Sequence, residues 1–189
     1  MKVTESDISR IVENGSIHGV LDFSGIDLSD DSLLFVIDYV TTNNLYFFER
    51  VDFKNSRLCD SNFEALLEFV KMFSNMNFLS IRDNLLPKEA GQCISDILLY
   101  KGKLDTLELS GNKLGDIGAS QLFSTFSKSL SDFSSKYSIS LLTLRILDLS
   151  NNDLTDPSIL TLCRSLVHFS KNTGAYKKTA NLQVLRLDK

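Results

Sequence analysis

Aliphatic side chains recur along this chain at intervals too regular for an ordinary globular core. The octet Leu107-Glu108-Leu109-Ser110-Gly111-Asn112-Lys113-Leu114 returns as Leu147-Asp148-Leu149-Ser150-Asn151-Asn152-Asp153-Leu154, and internal self-similarity of this kind marks a repeat architecture. With the first leucine of the octet as anchor, equivalent positions fall at Leu21, Val51, Leu79, Leu107, Leu147 and Leu185, spaced 30, 28, 28, 40 and 38 residues apart. Two residues after the anchors stand Phe23, Phe53, Ile81, Leu109, Leu149 and Leu187; seven after stand Leu28, Leu58, Leu86, Leu114 and Leu154. Three residues before them stand His18, Phe48, Met76, Leu104, Leu144 and Leu182, so that His18 alone is not apolar. Apolar residues two apart with polar residues between them predict a short strand, followed by a turn.

The second half of each unit changes period. Apolar residues at 12, 15, 16 and 19 after the anchor lie on one face of a helix. They are Leu33, Val36, Ile37 and Val40 in the first unit, Phe63, Leu66, Leu67 and Val70 in the second, Ala119, Leu122, Phe123 and Phe126 in the fourth, and Ile159, Leu162, Cys163 and Leu166 in the fifth. The third unit has Gly91, Ile94, Ser95 and Leu98, which predicts a helix packed either more closely or less firmly. Asp30, Asp60, Asp116 and Asp156 all stand nine residues after their anchors, where helix N-caps are expected, with Pro157 suited to a first helical position.

Strand, turn, helix and return in about 28 residues is the long form of the leucine-rich repeat. The chain resembles ribonuclease-inhibitor-type leucine-rich repeat proteins over nearly its whole length. The resemblance implies an α/β leucine-rich repeat solenoid, curved, with parallel strands on the concave face and helices on the convex face. It also implies that Asn84, Asn112 and Asn152 hydrogen-bond turn backbone, whereas Ile26 and Ser56 in the equivalent slots predict less regular first and second turns.

The repeats are expected to form a single domain over residues 1–189. Ile8, Ile11 and Val12 at helical spacing place an N-terminal capping half-repeat over 1–16; five repeats follow over 17–181, and 182–189 reads as the start of a truncated sixth. Two insertions lengthen the later units. One, near 127–140, is serine-rich and extends its helix through Leu130 and Phe133; the other, around 170–178, reads as a loop with a small basic tip.

Composition narrows the function. Hydrophobic residues make up 43% of the chain, enough to fill a core, and no apolar run approaches the ~20 residues of a membrane span. Without an N-terminal apolar signal segment, and with three cysteines (Cys59, Cys93, Cys163) in no CxxC spacing, a reducing, cytoplasmic location is expected. Cys163 falls in a core slot, and Cys93, one residue out of phase, is expected to be partly exposed. The formal charge of −4 supplies no positive field for nucleic acid. His18 and His168 stand most of the repeat stack apart, which separates them from any shared triad or zinc site, and the chain has no phosphate-cradling glycine motif. The reading is a protein that is not an enzyme and takes no cofactor or metal.

What remains is a surface. Strand residues between the core positions point to the concave side and form rows across the repeats. One row reads Asp22, Asp52, Ser80, Glu108, Asp148 and Arg186; a second Val20, Arg50, Phe78, Thr106, Ile146 and Val184; a third Ser24, Lys54, Arg82, Ser110, Ser150 and Asp188. The candidate partner-binding residues are Arg50, Asp52, Lys54, Phe78, Ser80, Arg82, Glu108, Ile146, Asp148 and Arg186. Apolar side chains beside a mostly acidic row suit a protein partner with a basic, partly hydrophobic segment, although acids and serines in these rows are also common scaffold residues of the family. The expected function is a non-catalytic protein-protein interaction module inside a larger scaffold, cytoskeletal or signalling protein, since similar repeats occur in tropomodulins and innate-immune receptors. The alternative is a RanGAP-like activator of a small GTPase, since RanGAP proteins are built from similar long repeats.

Overall fold

The computed structural model describes residues 3–29, 31–101, 103–131, 143–172 and 182–188. Asp30 and the inserted segments at 132–142 and 173–181, with Phe133, lie outside them. Six strands of three residues each alternate with helices: β1 (Val20–Asp22), β2 (Arg50–Asp52), β3 (Phe78–Ser80), β4 (Thr106–Glu108), β5 (Ile146–Asp148) and β6 (Val184–Arg186). The helices are α1 (Glu5–Ser16), α2 (Ser32–Thr42), α3 (Phe63–Met72), preceded by a 3-10 turn (Asp60–Asn62), α4 (Ala90–Tyr100), α5 (Gly115–Ser131) and α6 (Asp156–Asn172).

All strand pairs are parallel and follow chain order from β1 to β6. The anchors Leu21, Val51, Leu79, Leu107, Leu147 and Leu185 are direct partners across the whole sheet. All but Leu185 are buried, each contributing about 1.5–3 kcal/mol of apolar burial. This is the leucine-rich repeat solenoid, with its strands on the concave face and its helices on the convex face.

Larger side chains fill the first two repeats than the later ones. Phe23 and Phe53 stack at 5.5 Å where later units carry Ile81, Leu109 and Leu149, and Phe69 of α3 meets both rings edge-on at 6.2 and 5.2 Å. Ile8 of α1 is buried in the same core, with Ile11 and Val12 at its margin. His18 is exposed, because beside it α1 supplies the packing and the strand core begins only at Leu21.

The asparagines form a ladder through the turns. Asn84 Oδ1 accepts from Ser56 N and Leu58 N, both at 3.0 Å, and its Nδ2 donates to the carbonyls of Phe53 (2.7 Å) and Arg82 (2.9 Å). Asn112 repeats the pattern with Asn84 N, Leu86 N, Ile81 O and Leu109 O. Asn152 donates to Leu109 O and Leu149 O. Where Ser56 replaces asparagine, its hydroxyl donates to Phe23 O (2.8 Å), while its own carbonyl accepts Leu28 N and Phe23 O accepts Ile26 N. The first turn therefore satisfies its amides through backbone rather than through an amide side chain.

One expectation about the helices needs correction. No described aspartate nine after an anchor is an N-cap. The Asp60 carboxylate accepts only its neighbour's amide, Ser61 N, and Asn62 Oδ1 closes that turn on Cys59 N; Asp156 is already the first residue of α6. Asp116 instead reaches into the next repeat, accepting from Thr155 N (2.8 Å) and the Thr155 hydroxyl, contacts that hold its carboxyl below the usual range. The N-terminal cap with the clearest geometry is one the periodicity did not pick out: Thr4 and Asp7 form a reciprocal capping box on α1.

Gly91 decides the third helix in favour of close packing. A Cβ there would lie 2.3 Å from the Gly118 carbonyl and 2.7 Å from Gly118 Cα, so the two glycines let α4 and α5 approach backbone to backbone. Lys101, 4% exposed at the end of α4, donates its ammonium to Phe73 O at the end of α3, linking successive helix C-termini. Burial lowers its pKa to about 8.

Candidate protein-binding surface

Because the register is one-to-one, the concave rows are continuous. Arg50 faces Phe78, Phe78 faces Thr106 and Thr106 faces Ile146; Asp52, Ser80, Glu108 and Asp148 run beside them. Asn55 N bonds Arg82 O, Asp83 N bonds Ser110 O and Gly111 N bonds Ser150 O, which carries the same register into the row of Lys54, Arg82, Ser110 and Ser150. The sheet thus brings Arg50, Asp52, Lys54, Phe78, Arg82 and Glu108 together over β2 to β4, with Ile146 and Arg186 further along.

Burial divides the ten predicted residues. Ser80 is fully buried and Asp148 is 4% exposed, so these two form the floor of the surface rather than its contact layer. Strand neighbours in the parallel sheet stand about 4.8 Å apart and cover such short side chains. The other eight are partly or fully exposed.

The acidic row does local structural work. Asp22, Asp52 and Asp148 each accept the amide two residues on, from Ser24 N (2.9 Å), Lys54 N (2.8 Å) and Ser150 N (3.0 Å), and so fix the exit of three strands. Asp148 also faces Arg186 at 3.6 Å, and Glu108 faces Arg82 at 3.7 Å. Phe78 is not a free aromatic anchor: the Arg50 guanidinium lies 3.9 Å above its ring centroid. Arg50 and Lys54 have no carboxylate within ion-pair distance among the described residues. Arg82 Nε is buried without a hydrogen-bond partner, as are the Ser80 and Ser110 hydroxyls on the same face.

A fourth row escaped the sequence reading. Glu49, Asn77, Asp105, Arg145 and Gln183 stand two residues before the anchors, and their amides bond from one repeat to the next. Asn77 Nδ2 donates to Glu49 Oε2 (3.2 Å), Arg145 pairs with Asp105 (3.3 Å), and Arg145 Nε donates to Gln183 Oε1 (3.4 Å). The signal was available as a polar column at constant offset, but strict strand alternation assigns that offset to the interior.

The cysteines are placed opposite to expectation. Cys93 is buried, its thiol pushed up to about 12 by desolvation, with Sγ 3.4 Å from Phe63 O. Cys163 is exposed, because no further described helix packs over the outer side of α6, whereas Phe123 in the equivalent slot of α5 is buried. A cleft of about 660 Å³ opens at this end of the stack, lined by Leu154, Thr155, Asp156, Pro157, Ile159 and Leu187. Among the described residues no three histidine, cysteine, aspartate or glutamate side chains cluster with metal-binding geometry, and no helix is long and apolar enough to cross a membrane.

Comparison with known proteins agrees with this architecture. The family model described as "Leucine Rich repeat" matches residues 103–123 and 140–163. No curated protein matches the chain in sequence. Among solved structures, a tropomodulin C-terminal domain from Caenorhabditis elegans is similar at a TM-score of 0.57 and 14% identity, over 90% of this chain and 95% of that one. An identity that low speaks to the fold alone. Repeat, register, turn ladder and structural neighbour together give this chain a leucine-rich repeat fold.

Proposed function

We propose that the chain is a non-catalytic protein-interaction module, with repeats of the ribonuclease-inhibitor type, that binds a protein partner through the concave strand face over β2 to β4. The 28-residue spacing of the anchors Val51, Leu79 and Leu107 supports the repeat type. The observation that carries the binding reading is the row of partly exposed side chains, Arg50, Lys54, Phe78, Arg82 and Glu108, held in fixed register on adjacent strands. A surface built on rigid elements loses little entropy on binding, so charge and shape there convert efficiently into affinity.

The test is affinity capture from cell extract with the wild-type protein and an Arg50→Ala, Arg82→Ala, Glu108→Ala triple variant, circular dichroism showing that both fold. A protein retained by the wild type and lost by the variant is the expected result. Equal capture by both moves binding to the convex helices or the ends of the stack and refutes the concave site.

A further inference from the structure

The sequence alone pointed to a basic partner because the central concave row is acidic. In three dimensions those acids also hold local structure. Asp22, Asp52 and Asp148 each hold a backbone amide, and Asp148 and Glu108 face arginines. Asp22 and Asp52 keep their charge, since an amide hydrogen bond does not neutralise a carboxylate, but cations on the same face also lack partners. Arg50 and Lys54 lack a carboxylate partner among the described residues, and Arg82 has only the 3.7 Å approach to Glu108, with Nε buried and unbonded.

Arg50 is also preorganised. The Arg50 guanidinium lies 3.9 Å from the Phe78 ring centroid, a cation–π contact that restricts the side chain and leaves its N–H groups without a carboxylate partner among the described residues. A planar donor fork held in this way suits a carboxylate, which it grips bidentately. At the other end of β2, Lys54 and Arg82 sit side by side, since Asn55 N bonds Arg82 O across the two turns. Arg50 opens β2 and Lys54 stands in the turn just past its end, so the two are at most roughly 13 Å apart along the chain, within the reach of four residues of an extended peptide.

We infer that the β2–β3 part of the concave face receives an extended segment of a protein partner carrying two carboxylate side chains four residues apart, one gripped by Arg50 and the other held between Lys54 and Arg82. This rests on the concave-face reading above and specifies its chemistry. A carboxylate suits the site better than a phosphate dianion, because Asp52 on β2 and its register partner Asp22 on the adjacent β1 penalise each additional negative charge. The formal charge of −4 slows the approach of an acidic segment but does not prevent its binding, since at physiological salt the Debye length is about 8 Å and the nearest charges dominate.

The experiment is fluorescence anisotropy with a short labelled peptide bearing two glutamates four positions apart, beside the same peptide with lysines or with phosphoserines in those positions. The glutamate peptide is expected to bind, with affinity falling as salt rises, and the lysine peptide is not. Arg50→Gln and Lys54→Gln should each weaken binding by about fivefold to tenfold, and Arg50→Lys, which keeps the charge but loses the planar fork, by less. Arg145→Gln, whose partner is Asp105, should leave it unchanged. No binding of the glutamate peptide, or binding indifferent to Arg50→Gln and Lys54→Gln, overturns the inference. Preferential binding of the phosphoserine peptide overturns the choice of carboxylate. A lysine peptide that binds and is released by Glu108→Gln reverses the chemistry while keeping the concave site. The concave reading itself falls only if the protein captured from extract also ignores the triple variant.

Discussion

Replacing Asn84 with alanine tests the turn ladder at its centre. The side chain is 4% exposed and makes four hydrogen bonds, two of them accepted from Ser56 N and Leu58 N, which have no other acceptor among the described residues. Alanine removes the acceptor and leaves both buried amides unpaired, at about 1–3 kcal/mol each. The Phe53 carbonyl loses its Nδ2 donor as well. The expected destabilisation is therefore about 4 kcal/mol, a large share of the roughly 5–15 kcal/mol that holds a domain together. The effect falls between the second and third repeats, and in a solenoid each repeat is stabilised chiefly by its neighbours, so the denaturant transition should broaden as well as shift. Urea unfolding followed by circular dichroism measures both. Asn75→Ala is the matched control: Asn75 is exposed and its side chain only accepts from Lys103 Nζ, so its loss should cost less than about 0.5 kcal/mol. If Asn84→Ala and Asn75→Ala unfold at the same urea concentration, the buried ladder is not what couples these repeats.

Two further predictions follow from close packing and from a buried charge. Gly91→Ala forces a methyl into the Gly118 carbonyl and should destabilise by about 1–3 kcal/mol, lowering Tm by roughly 2–12 °C; Gln92→Ala, exposed on the same helix, should barely move it, and equal Tm values for the two variants would contradict the backbone contact. Lys101 titrates at about 8 in the folded chain against 10.5 when free, so between these values the unfolded chain holds more protons and stability rises with pH, by about 3 kcal/mol across the window. Cys93, raised from 9.0 to about 12, acts in the opposite direction above pH 9. The difference between wild type and Lys101→Met isolates the lysine: the wild type should gain stability relative to the variant from pH 8 to 10.5, and parallel profiles would refute the buried-charge reading.

Periodicity determined the fold because each strand slot sees the same environment in every repeat. Leu21, Val51, Leu79, Leu107 and Leu147 must all be apolar to fill one column, and that column is visible without coordinates. The asparagine ladder was legible for the same reason. Features that depend on which repeat stands next were not. Cys163 has a core spacing but no described helix beyond it, and Asp116 bonds Thr155 of the following unit instead of capping its own helix. The surface chemistry was the least legible. A row of aspartates reads as unbonded carboxylates until the turn geometry shows their oxygens on backbone amides, and Arg50 and Phe78, 28 residues apart, read as separate contacts until the register brings one over the other. Sequence spacing set which side chains line the concave face; only tertiary structure decided which of them already hold a hydrogen-bond or ion-pair partner and which remain open to one.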